Sequence, residues 1–252
     1  MRNVVSLVIA GALFGGCSDP ELAGKVADLE ARLAKMEAGA PAAGAPGAKA
    51  PGAKAPGAPM NEENEKAAAE LLKAASQAAE AMNYDDAKAK LAELQTKYPE
   101  TRPARAAVRL QEELSVVGKP AQALKIDHMV QGDQIDLNSG KATLVVFWEV
   151  WCPHCKNEVP KLQATYTKYQ PKGLQLVGLT KQTKGTTEDQ VKAFIAEKGV
   201  TYPIAKESGQ ETSEYYGVKG IPAAIVVKDG KVVWRGHPAR LSDAMLDKFV
   251  GT

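Results

Sequence analysis

The 252-residue sequence predicts an α/β fold: a mixed sheet with helices on both faces over residues 118–252, preceded by a helical module and a disordered linker. Three observations carry this prediction. The apolar runs Thr143–Trp148 and Leu174–Leu179 have strand length and bracket a helical stretch from about Pro153 to Tyr169, the order of a parallel strand–helix–strand unit. Asp229-Gly230 separates Ala223–Lys228 from Lys231–Arg235, the two-residue signal of a tight hairpin and so of an antiparallel edge. Between the first strand and the helix stands Trp151-Cys152-Pro153-His154-Cys155, which puts reactive side chains on a strand-to-helix junction.

At the N-terminus, Met1-Arg2-Asn3 is followed by an apolar run from Val4 to Phe14 and then by Gly15-Gly16-Cys17. A basic start, an apolar core too short to span a bilayer and small residues before a cut read as a secretory signal over residues 1–16. Small residues directly before Cys resemble a bacterial lipobox, which would make Cys17 the lipidated first residue of the mature chain. An ordinary signal with Cys17 incidental is the plainer alternative. In residues 17–38, Leu22, Val26, Leu29, Leu33 and Met36 are alternately four and three apart, with Lys25 and Arg32 at g positions and Glu30 and Glu37 at the facing e positions. The spacing predicts either a short parallel coiled coil, through which anchored chains self-associate, or a single amphipathic helix. Residues 39–60 are Ala/Pro/Gly-rich, with Pro-Gly-Ala-Lys-Ala repeated from Pro46, a composition that cannot bury a core and predicts an extended spacer.

Residues 61–117 are helical by composition. Asn83-Tyr84-Asp85-Asp86-Ala87, with Leu91, Leu94 and Pro99 following, resembles the second helix of a tetratricopeptide repeat. Leu71, Ala75 and Ala78 fall at its first-helix packing positions, and a third helix runs from about Arg102 to Val117. Solenoids normally need about three repeats, so the plainer expectation is a helical hairpin packed on the α/β domain, and the sharper one a peptide-binding groove. In that α/β domain, a helix from about Thr187 to Lys198 and a last one from about Arg240 complete the predicted elements.

The cysteine pair defines the chemistry. A cysteine at a helix N-terminus meets unpaired backbone N–H groups and the positive end of the macrodipole, both of which favour its thiolate. A second cysteine one turn on lies close enough to form a disulfide with it. The pattern predicts dithiol–disulfide exchange with Cys152 as the nucleophile. Other chemistries fit poorly. The only further cysteine is Cys17 and the only histidines are His128, His154 and His237, a poor supply for a tetrahedral zinc site. A c-type haem site would need His where Lys156 stands, and a peroxidatic site would carry Thr where Glu149 stands. A net charge of +2, without a basic run interleaved with aromatics, argues against a nucleic-acid partner. No metal or organic cofactor is implied.

From about Gly118 onward the chain resembles the TlpA/ResA-type thioredoxin-fold thiol-disulfide oxidoreductases. The matching stretches are Gly118-Lys119-Pro120-Ala121, Phe147-Trp148-x-x-Trp151-Cys152-x-x-Cys155, and Gly220-Ile221-Pro222 before a strand. The resemblance implies a thioredoxin-like fold, with Cys152 attacking and Cys155 resolving. It further implies a cis Pro222, with Ile221 presenting backbone to substrate, and Glu158 as an acid beside the pair. One departure matters: Pro153-His154 is the dipeptide typical of strongly oxidising, DsbA-like members, whereas this type usually has Pro in the second place. His154, when protonated, would stabilise the Cys152 thiolate, and Glu158, if partly buried, would carry the proton of Cys155. Trp148 and Trp151 are expected to pack the fold and shield the site, with Trp151 also touching substrate. Glu149, His128 and His237 are read as ordinary surface residues.

The sequence therefore reads as a cell-envelope, lipid-anchored thiol-disulfide oxidoreductase, its catalytic domain facing the periplasm or the cell exterior. Its partners would be protein thiols and disulfides and a membrane or envelope redox partner, with the reductase or isomerase direction favoured. The alternatives are a DsbA-like oxidant and a non-enzymatic helical adaptor that uses the redox domain as a scaffold.

Overall fold

Three helices come first in the computed structural model, which describes residues 61–251: α1 (Glu62–Glu80), α2 (Tyr84–Lys97) and α3 (Arg102–Val116). The expected signal peptide, the Cys17 anchor, the coiled coil of residues 17–38 and the linker of residues 39–60 lie outside the described residues. Capping chemistry sets the helix starts. Asn61 Oδ1 accepts from the N–H groups of Glu63 and Asn64, and Thr101 Oγ1 accepts from Ala104 N–H, with Pro103 in the first turn. The three helices meet over Ala68, Ala75, Ala87, Leu91, Leu94 and Ala107, each no more than 1% exposed. Alanines at the crossings let the axes approach, and the leucines fill the remaining space. The module packs on the α/β domain. Tyr84 Oη–H donates to the Val233 carbonyl at 2.9 Å, and Lys219 Nζ reaches Glu112 Oε1 at 2.5 Å.

The α/β domain contains β1 (Ile126–Gln131), β2 (Ala142–Phe147), α4 (Pro153–Tyr169), β3 (Leu174–Thr180), α5 (Glu188–Glu197) and β4 (Ile204–Glu207). It continues with α6 (Glu211–Tyr215), β5 (Ala223–Lys228), β6 (Lys231–Gly236) and α7 (Asp243–Val250). The sheet order is β1-β4-β3-β2-β5-β6. β2 runs parallel to β3 and β3 to β4, while β1, β5 and β6 pair antiparallel with their neighbours. This is the mixed thioredoxin-like sheet with helices on both faces that the sequence predicts.

β2 occupies the interior of the sheet, and all six of its residues are buried. Its alternation serves two cores: Leu144 and Val146 pack with Val159, Leu162 and Ile195, while Val145 and Phe147 pack with Val177, Ile225 and Tyr216. Each such side chain contributes about 1.5–3 kcal/mol by leaving water. The strand ends at Phe147, one residue earlier than expected, and Trp148 turns inward at 1% exposure. It fits because residue 178 is glycine: a Cβ there would stand 2.8 Å from Trp148 Nε1 and 2.7 Å from Ile204 Cδ1.

β1, β4 and α6 are elements that the sequence pattern does not predict. β1 is an edge strand with Asp127 and His128 exposed and two register irregularities, so it shows no clean period. β4 has four residues and α6 five, too few for periodicity to register. The last helix begins at Asp243 rather than near Arg240, because Ser242 Oγ caps it by accepting from Met245 N–H. His128 has a structural role on β1, where its ring pairs with Glu188 at the start of α5.

Candidate redox site

Cys152 is the N-cap of α4. Its N–H donates to the Glu149 carbonyl at 3.1 Å, and its own carbonyl accepts from Lys156 N–H at 3.0 Å. Pro153 takes the first helical position, where a missing N–H is tolerated. No side chain caps this helix, so its unpaired N–H groups are left beside the Cys152 sulfur. Cys152 is 5% exposed, and its Sγ lies 3.8 Å from the Ile221 carbonyl oxygen. The Ile221–Pro222 peptide is cis. The loop before β5 and the start of α4 thus face each other across the sulfur.

Cys155 is 0% exposed, and both cysteines are free thiols. Burial pushes the Cys155 thiol well above the ordinary cysteine range. The Glu149 backbone N–H pulls it back, and the neighbouring Cys152 and the Glu149 carboxylate add to the rise. One sulfur, itself nearly buried, therefore opens the helix, and the other is held protonated behind it.

Glu149 corrects the sequence reading. Expected as solvated surface, it is 4% exposed. Its Oε1 accepts from Lys181 N–H at 2.9 Å, and its Oε2 accepts from Thr183 N–H and Thr180 Oγ1–H at 3.3 Å each. The loop after β3 bends back over the site, with Gln182 and Lys184 both at φ 56°, and Glu149 supplies the acceptors its backbone requires. Thr183 Oγ1 in turn accepts from Trp151 Nε1–H at 3.0 Å, and Lys184 Nζ sits 3.5 Å above the Trp151 ring. Trp151, half-buried, so becomes one wall of a cleft of about 440 Å³ that it shares with Trp148, Cys152, Val218 and Ile221. A signal was present in the sequence: an ionisable residue immediately after a buried apolar run must find internal partners.

His154 is exposed, makes no hydrogen bond to Cys152, and lines a second groove of about 510 Å³ with Ile221, Pro222 and His237. His237 is the second correction. It is half-buried just past β6, and its Nδ1 accepts from Ala239 N–H at 3.2 Å. Burial lowers its pKa, Glu158 opposes that, and Arg109, Arg240 and His154 push in the same direction as burial. It was unreadable because a turn, with no period, carries it back over α4. Glu158 is one turn beyond Cys155, its side chain 13% exposed and paired with Lys161 Nζ at 2.7 Å. The fold thus gathers Cys152, Cys155, His154, Ile221, Pro222 and Trp151 at the head of α4, with Glu158 and His237 at its flank.

A thioredoxin-type sheet with a cysteine pair opening a helix defines a class of proteins that exchange thiols and disulfides. The AhpC/TSA family model matches residues 117–235. The thiol-disulfide oxidoreductase ResA of Bacillus anthracis is 33% identical over 120 residues, covering 46% of this chain and 67% of that protein. The sporulation thiol-disulfide oxidoreductase A of Bacillus subtilis is 29% identical over 101 residues, covering 40% of this chain and 61% of that protein. The crystal structure of StoA from Bacillus subtilis shares 26% identity with a TM-score of 0.43, covering 52% of this chain and 98% of that one. The chain belongs to the ResA-type thiol-disulfide oxidoreductases.

Proposed function

We propose that this oxidoreductase works through Cys152-Pro153-His154-Cys155 on the cysteines of protein substrates. The Cys152 thiolate attacks one sulfur of a substrate disulfide, forms a mixed disulfide and releases the other substrate sulfur as a thiolate. Cys155 then loses its proton and attacks the Cys152 sulfur. This frees the second substrate thiolate and leaves Cys152–Cys155 oxidised; the reverse sequence oxidises a dithiol. The observation that carries this reading is the asymmetry of the pair: Cys152 caps α4 against the Ile221 carbonyl, and Cys155 is fully buried behind it. Ile221, Pro222 and Trp151 would hold the substrate chain, and Glu158, only 13% exposed, would carry the Cys155 proton.

Charge around the pair bears on its potential. Whatever favours the Cys152 thiolate stabilises the reduced form and raises the potential. The N-terminus of α4 acts that way, and a protonated His154 adds to it, while the buried Glu149 carboxylate opposes both. An intermediate potential of roughly −230 to −160 mV and a reductase or isomerase role are expected. Equilibration of the pair against glutathione buffers measures this; a potential near about −120 mV would make the protein an oxidant instead. In the same assay His154→Gly should lower the potential.

The reading extends to the cell envelope, where protein cysteines acquire disulfides, with an envelope electron donor or acceptor as redox partner. Gly15-Gly16-Cys17 supports a lipid anchor, residues 21–38 a self-associating helix and residues 39–60 a spacer. Intact mass of protein from the membrane fraction should correspond to a chain beginning at Cys17 with diacylglycerol attached. A soluble product cut elsewhere removes the anchor.

A further inference from the structure

The groove beside His154 is not built by the α/β domain alone. Its far wall is α3 of the helical module, which contributes Arg109, Glu112 and Glu113, and Lys219 faces them from the loop before Pro222. The charges there do not balance. Glu113, 5% exposed, is shared by two cations: Arg109 Nε at 3.2 Å and the Arg240 guanidinium. A third, Arg235, is 8% exposed and gives its N–H groups to the carbonyls of Tyr216, Gly217 and Gly236 rather than to a carboxylate. Lys219 and Glu112 cancel each other at 2.5 Å. Three guanidinium groups around one carboxylate leave a net positive field, and Arg109, its side chain 72% exposed, presents it to the groove. Burial lowers the pKa values of Arg235 and His237; Glu113 opposes this at Arg235 and Glu158 at His237, while Arg109 and Arg240 add to it at both.

The same groove ends at Ile221 and Pro222, and the Ile221 carbonyl faces the Cys152 sulfur. Cys152 lines the neighbouring Trp151 cleft, and Lys219, Gly220 and Ile221 line both, so residues that flank a bound cysteine on the Ile221 side enter the groove. We propose that α3 is a specificity wall and that the groove selects substrate segments carrying Asp or Glu next to the reactive cysteine. The helical module is then part of the substrate site. This rests on the proposed exchange at Cys152.

The test uses the full reduced protein and two synthetic peptides, each with one cysteine activated as a neutral 2-thiopyridyl disulfide. One peptide has Asp and Glu flanking the cysteine, the other Lys. Attack by the Cys152 thiolate on the peptide sulfur joins the two chains and expels 2-thiopyridone, whose absorbance gives the rate. Dipyridyl disulfide is measured alongside. The acidic peptide should react about tenfold faster than the basic one at low salt, with the gap closing at high salt. Arg109→Glu should collapse or invert the ratio, while Lys73→Glu on the exposed face of α1 makes the same charge change outside the groove and should keep it. Because the ratio is the readout, a variant with lower overall activity still reports. Equal rates for both peptides, or an acid preference that survives Arg109→Glu, overturn the specificity wall while leaving the exchange reading intact. Failure of the wild type with all three disulfides overturns the exchange reading, and the groove assignment with it.

Discussion

Cys155→Ser should turn a transient encounter into a stable covalent adduct. With the buried thiol removed, Cys152 still attacks, but nothing collapses the mixed disulfide, so a protein–substrate band should persist on non-reducing gels. Cys152→Ser should give no adduct and lose about a thousandfold or more of its turnover. An adduct trapped by Cys152→Ser instead would reverse the two roles. The wild-type collapse rate carries a pH signature. Burial holds the Cys155 thiol above the ordinary range, so between pH 6 and 9 its thiolate fraction rises about tenfold per pH unit. Unassisted collapse must follow that slope. If Glu158 removes the proton, the profile is shallower and Glu158→Gln steepens it and slows collapse at pH 7. A Glu158→Gln profile that overlays the wild type removes Glu158 from the mechanism.

The parts of this site that are legible in sequence are those fixed by local rules. Cys152 and Cys155 declare themselves because a strand-to-helix junction puts one sulfur on the helix N-terminus and the other one turn inside. The Asp229-Gly230 hairpin and the buried run of β2 are equally local, since turn chemistry and apolar length suffice. Glu149 and His237 were misread for a common reason. Their surroundings come from distant segments: Lys181 and Thr183 for Glu149, and Arg109, on a different module, for His237. The packing of α3 against the site is similarly invisible, because the contacts of Glu112 with Lys219 and of Glu113 with Arg240 join residues more than a hundred positions apart. Composition shows helices in residues 61–117; only the tertiary arrangement shows which face they turn toward the cysteines.

Replacing Glu149 should damage both stability and substrate handling. Glu149→Leu leaves the N–H groups of Lys181 and Thr183 and the Thr180 hydroxyl without their acceptors. An unsatisfied buried donor costs about 1–3 kcal/mol, and some relaxation of the loop admits water, so a loss of about 3 kcal/mol is expected. For a chain of this size that lowers Tm by about 6–12 °C. The same loop fixes Trp151 through Thr183, so KM for protein substrates should rise more than KM for a small disulfide. Glu149→Gln separates charge from shape. Its amide oxygen keeps the Lys181 bond, while its NH₂ group faces the Thr183 donor, so the stability loss should be smaller than for Leu. Loss of the negative charge beside the pair should raise the potential by about 30 mV and hasten collapse of the mixed disulfide at fixed pH. Thermal melts, redox equilibration and stopped-flow collapse rates report these effects separately. A Glu149→Gln protein that matches the wild type in all three would reduce Glu149 to a space-filling residue, and the loop over Trp151 would have to be held by something else.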